Sequence, residues 1–144
     1  MVVMASFSYP PGGPPADLLI EGYGETIGEA FAGAALGMYN AITPLEGVSE
    51  REEFGVDVEG IDIESLLLNF LDELLFLSDT EGLIAKTLEV EVDETKFKAK
   101  AKCRGERFSA STHEVGASIK AVTYHMMKIE KKGNFWITRV VFDT

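Results

Sequence analysis

The sequence predicts an α+β fold, a two-layer arrangement of a mostly antiparallel sheet and two main helices in one domain. Three observations carry this expectation. Residues 26–42 and 61–78 repeat apolar side chains at three- and four-residue steps, which gathers them on one helical face. Around these segments lie stretches that alternate apolar and polar residues, the period of a half-buried strand. A chain of 144 residues, 46% of them apolar, suits a single domain with a sizeable core.

Residues 61–78, IDIESLLLNFLDELLFLS, form the most apolar long run and are expected to organise the core. Leu67, Phe70, Leu71, Leu74 and Leu77 make the apolar stripe, and burying all five contributes about 8–15 kcal/mol gross. Asp62 is the expected N-cap, with Glu64 in the first turn. Asn69, Asp72 and Glu73 mark the wet face, and Leu68 and Phe76 sit near it, against the pattern. The acidic residues in the run argue against a membrane span.

The other elements follow in order. Residues 5–9 read as a short strand, and residues 10–15, PPGGPP, as a loop, since four prolines remove amide donors. Residues 18–23 read as a strand. Thr26 and Glu29 spell a capping box for a helix carrying Ile27, Phe31, Ala34, Met38 and Ile42, ended by Thr43-Pro44. Gly33 and Gly37 give that helix a surface another element can approach closely. Phe54, Val56 and Val58 alternate as a strand before the central helix, and residues 79–82 turn the chain after it. Leu88, Val90 and Val92 share one strand face. Phe97, Ala99, Ala101 and Cys103 alternate with Lys96, Lys98, Lys100 and Lys102. That lysine row reads first as a charged face protecting a strand, and second as a docking site for an acidic surface or RNA. Residues 119–129 and 135–142 read as long strands joined by Lys132-Gly133-Asn134; their apolar character on both faces predicts central places in the sheet.

A net charge of −11 disfavours direct, avid binding to nucleic acid and favours a partner with a basic groove. The lone Cys103 forms no internal disulfide and suits a reducing interior. No basic stretch followed by an apolar core opens the sequence, so no signal peptide is expected and a soluble, cytoplasmic protein is. There is no nucleophile triad, phosphate loop, dinucleotide fingerprint or Cys/His zinc spacing. His113 is expected to be solvated in a polar loop and His125 to be a satisfied structural histidine in a strand. Asp17, at the exit of the Pro/Gly loop, and Asp143, at the end of the last strand beside Thr144, could converge on one hard cation if their strands are neighbours.

Four blocks give these carboxylates a context. GYGETIGEAFAGAALGMYNAIT resembles the first helix of the archease family, and LLLNFLDELLFLSDTEGL its second. IKAVTYHMMKIE is similar to the family's most diagnostic strand and VVFDT to its ending. The likeness runs in order from about residue 16 to the end. It implies a small acidic accessory protein, without catalysis of its own, for the RtcB-type RNA ligase that joins tRNA exon halves using GTP and a divalent metal. Such a protein promotes guanylylation of the ligase and sustains multiple turnover, meeting tRNA only through the ligase and no membrane. By the same resemblance Asp17 and Asp143 would be metal ligands, for Ca²⁺ first and Mg²⁺ or Mn²⁺ otherwise, and Lys120 would hold phosphate or orient a carboxylate. Pro14 stands where the family has a histidine, Pro44 where an acidic residue is common, and Ser118-Ile119 where a glutamate is, so the ligand pair lacks some of its usual support. Two other readings are a small metal-dependent phosphoryl-transfer or hydrolytic enzyme, which lacks a convincing general base, and a chaperone-like module exposing Leu68 and Phe76.

Overall fold

The computed structural model describes residues 5–14 and 16–144; Pro15, the last proline of the predicted loop, lies outside the described residues. In chain order the elements are β1 (Ser6–Ser8), β2 (Leu18–Gly24), α1 (Ile27–Ile42), a 3-10 turn (Leu45–Gly47), β3 (Glu52–Glu59), α2 (Ile63–Glu81), β4 (Leu83–Asp93), β5 (Lys98–Arg107), β6 (Ala121–Lys132) and β7 (Phe135–Asp143). The α+β class holds. The strands divide between two antiparallel sheets, ordered β1-β2-β7-β6 and β3-β5-β4.

Both helices start and stop where local chemistry dictates. Thr26 Oγ1 accepts the Glu29 N–H at 3.0 Å, and the Glu29 carboxylate accepts the N–H groups of Glu25 and Thr26, closing the capping box of α1. Asp62 caps α2 by accepting the Ser65 N–H at 2.7 Å, and Ser65 Oγ accepts in return from Asp62 N–H. Gly82 ends α2 in the left-handed region at φ 72°, its N–H donating to Ser78 O. Gly33 lets α1 lie on the first sheet, since a Cβ there would run into the Ser6 carbonyl.

Each helix touches both sheets. α1 packs on β1, β2 and β7 and also on β4, while α2 packs on β6 and also on β3. This double coverage explains the burial of α2. Leu67, Phe70, Leu71 and Leu74 are fully buried as the stripe predicts, but Leu66 and Leu75, off the stripe, are buried too. Leu68 and Leu77 are half-buried, and Phe76 is 57% exposed.

The predicted central place for β6 is corrected. β7 is central, between β2 and β6, but β6 is an edge strand. Its apolar character on both faces has another source. Thr123 pairs with Val141 and Lys128 with Arg139, so residues 124–127 bulge opposite Val140 alone. Met126 takes φ 56°, and Tyr124, His125 and Met126 are exposed. A bulged, twisted edge resists pairing with another strand. His125 is therefore a surface residue of the bulge and not a structural histidine of a sheet.

Candidate functional site

Three strand ends meet at one edge of the four-stranded sheet. Leu18 of β2 pairs with Phe142 of β7, and the register carried one residue outward sets Asp17 opposite Asp143. On the other side of β7, Ala121 pairs with Asp143, and the Lys120 N–H donates to the Asp143 carbonyl at 2.7 Å. Asp17 is half-buried in a turn closed by its N–H on the Pro14 carbonyl at 3.2 Å. Asp143 and Lys120 are exposed. The Thr144 hydroxyl donates to the Ala16 carbonyl and ties the end of β7 to the segment entering β2. The three residues singled out in the sequence thus share one end of one sheet, although 126 positions separate Asp17 from Asp143.

Segment 114–119, which leads into Lys120, is held by a contact that sequence reasoning missed. The N–H groups of Gly116 and Ala117 donate to the Ile42 and Ala41 carbonyls, satisfying orphan acceptors at the end of α1. A Cβ at Gly116 would collide with the Ala41 carbonyl. A glycine in a polar loop signals some close approach, but the partner is set by tertiary structure. Beside Asp17 lies a cleft of about 470 Å³ lined in part by Tyr9, Asn40, Ala117 and Thr144. Tyr9 and Asn40 are already engaged, the phenol donating to the Gly37 carbonyl and accepting from the Asn40 amide.

The donor set suits a hard cation only in part. Two carboxylates at neighbouring strand ends provide oxygen ligands, but among the described residues no group of three or more Asp, Glu, His or Cys side chains gathers around one point. Most of a coordination sphere would come from water, backbone carbonyls or a second molecule. Burial pushes the Cys103 thiol up to about 12, which leaves it protonated and inert.

His113 corrects its sequence reading. It is buried, stacked on Phe108 at 5.6 Å, with Nδ1 accepting the Ser109 N–H and Nε2 donating to Glu106 Oε2 at 2.9 Å. The signal missed was Glu106, seven residues upstream at the end of a strand. The His113 bond first, and then the Ser49 N–H at 2.7 Å, hold the Glu106 carboxyl below the usual range. A depressed folded value means stability that is present above the ordinary glutamate value of about 4.3 and lost as pH falls through the lowered one. The thermal midpoint of Glu106→Gln is accordingly expected below that of wild type at neutral pH, with the gap closing under acid. A gap that stays constant across the titration would show that Glu106 acts without its charge.

The lysine row reads differently in place. Lys98, Lys100 and Lys102 lie on the central strand of the three-stranded sheet. Lys100 pairs across to Asp57 and Glu91, Lys98 to Glu59 and Asp93, and Lys102 to Gly55 and Glu89. Lys100 Nζ is 4.0 Å from Asp57, and Arg104 Nε 3.7 Å from Glu53. Carboxylates on both sides cancel the positive field an RNA backbone would need. Cross-strand pairing with carboxylates accounts for this face, since β5 is paired on both sides and has no free edge to protect.

These features define a class, a small α+β domain with two sheets bridged by two helices and a pair of carboxylates at one sheet end. Comparison with known proteins gives the family. A model of the Archease protein family (MTH1598/TM1083) matches residues 12–144. The protein archease of Pyrococcus abyssi is 43% identical over 131 residues, spanning 89% of this chain and 92% of the relative. The solution structure of Methanobacterium thermoautotrophicum protein 1598 superposes with a TM-score of 0.80 at 33% identity, covering 97% of this chain and 98% of that one. The crystal structure of "an archease, possible chaperone" from Thermotoga maritima, 24% identical with a TM-score of 0.62 over 95% of this chain and 98% of that one, shares the fold. The chain belongs to the archease family. No helix among the described residues is long and apolar enough to cross a membrane.

Proposed function

We propose that this protein is a cytoplasmic, non-catalytic activator of an RtcB-type RNA ligase, promoting its guanylylation by GTP and its multiple turnover in tRNA splicing and RNA repair. The observation that carries this reading is the register placing Asp17 opposite Asp143, with Lys120 bonded to the same residue, in a chain of the archease family. In this reading the acidic sheet end approaches the basic, nucleotide-bearing site of the ligase. Asp17 and Asp143 hold a hard divalent cation, Ca²⁺ first, whose remaining ligands are water and oxygens of the ligase or its nucleotide. Lys120, an exposed point charge with three donors, contacts a phosphate or a ligase carboxylate. The net charge of −11 supports a protein partner over direct binding of tRNA.

The test is guanylylation of the ligase by GTP with limiting amounts of this protein, wild type against Asp143→Ala. Stimulation by wild type is expected, with a loss of about tenfold or more in the variant if one of only two protein carboxylates is removed. Equal stimulation by both would keep the role and discard the carboxylate site. No stimulation of a competent ligase would discard the role.

A chaperone-like module is the second reading, favoured by the exposed Phe76, Tyr124 and Ile61. It requires that aggregation of unrelated unfolded proteins be suppressed, a breadth the ligase reading does not need.

A further inference from the structure

Next to the cleft beside Asp17, with Ala117 lining both, a groove of about 440 Å³ opens between the end of α2 and segment 115–119. Ile42, Ile84, Phe108 and Val115 give it an apolar lining, and Ser78 and Asp79 a polar side. Val115 is 72% exposed beside it. Phe76 stands one turn before Asp79 on the same face of α2, so an exposed aromatic ring flanks the groove. Patches of this kind on a small soluble domain mark contact surfaces.

The electrostatics say what kind of contact. Both helices end here, α1 at Ile42 and α2 at Glu81, and neither has a basic residue in its last turn. Their last carbonyls are met from outside the helices, those of Ala41 and Ile42 by the N–H groups of Ala117 and Gly116 and that of Glu81 by Arg107. Asp79 adds a carboxylate at the unfavourable end of α2, with no ion-pair partner among the described residues. The cation nearest this helix end in sequence pairing is Arg107, already engaged with the Glu81 carbonyl at 2.9 Å and with the Glu52 and Glu81 carboxylates.

We propose that this groove seats a segment of a protein partner in which a lysine or arginine adjoins apolar side chains. The cation sits at Asp79, and the apolar side chains cover Phe108, Val115 and Phe76. A second copy of this chain, itself net acidic, suits the groove less well. The inference rests on the reading above in one respect, that the partner is the ligase.

The test measures the affinity of this protein for the ligase, and its half-maximal stimulating concentration, for Asp79→Lys, Val115→Glu and Phe76→Ser. All three residues are exposed, so the variants are expected to fold. Asp79→Lys removes like charge from a helix end and is expected to raise the thermal midpoint while weakening ligase binding about tenfold. The other two weaken it as well. In each the stimulating concentration rises and the plateau of stimulation is kept, whereas Asp143→Ala lowers the plateau. Ile61→Ser, a still more exposed apolar loss at the other end of α2, stays within about twofold of wild type. Groove variants that bind the ligase as wild type does overturn the inference and leave the activator role standing. A self-associated wild type whose groove variants become monomeric with ligase binding unchanged overturns it in favour of a second copy. A wild type that neither binds nor stimulates the ligase overturns both readings.

Discussion

Phe70→Ala is expected to destabilise the protein by about 3–5 kcal/mol. Phe70 is completely buried in the middle of α2, and its ring lies 5.7 Å from that of Phe31 on α1, tilted by 40°. The pair joins the two helices, and both helices are held against two sheets. Walls anchored on both sides cannot close over the space a lost ring leaves, so the cavity cost adds to the transfer cost. Domains of this size are stable by about 5–15 kcal/mol, so this one change removes a large share. The measurement is the urea midpoint at unchanged slope. Phe76→Ala, six residues further along α2 but 57% exposed, is the internal comparison, expected within about 0.5 kcal/mol of wild type. Equal losses at the two positions would mean that the helix is rotated from the orientation described.

Gly116→Ala is expected to cost about 2–6 kcal/mol and to loosen the strand-end site. The added Cβ meets the Ala41 carbonyl, a backbone atom that cannot swing away. Segment 114–119 must lift, and the bonds from Gly116 and Ala117 to the end of α1 stretch or break. Two such bonds contribute about 1–3 kcal/mol together, and forcing atoms into packed space costs about 1–3 kcal/mol more. The Lys120 N–H, bonded to Asp143, lies three residues beyond Ala117, so strain in the segment reaches the carboxylate pair. Amide hydrogen exchange reads this directly. Protection at residues 116, 117 and 120 should fall in Gly116→Ala and persist in Asp143→Ala, where the backbone is untouched. Retained protection and an unchanged thermal midpoint would show that the segment has room the static structure does not display.

Some of this was legible in the residues and some was not. The capping box at Thr26 and the N-cap at Asp62 depend on neighbours within four positions, and such signals survive any tertiary arrangement; α2, however, runs on through the expected turn to Glu81, three residues past Ser78. The stripe of α2 was legible for the same reason, but Leu66 and Leu75 were missed because periodicity reports one buried face and α2 has two covered sides. The β6 strand was placed at the centre because its apolar residues on both faces imitate a buried strand, and a four-residue bulge has no period of its own to announce it. His113 was read as solvated because its polar neighbourhood in sequence hides Glu106 and Phe108, which fold back over it.

The sequence by itself determined the elements, the helix starts, the α+β class and the acidic character, since these follow from spacing, caps and composition. The four resembling blocks also named the family and nominated Asp17, Asp143 and Lys120. Only the tertiary structure decided that the strands form two sheets, that Asp17 stands opposite Asp143, and that two helix ends open onto a groove beside segment 115–119. The physical reason is range. Helix and strand signals are local, whereas pairing order and groove shape depend on which distant surfaces bury the most area together, which no single stretch of residues encodes.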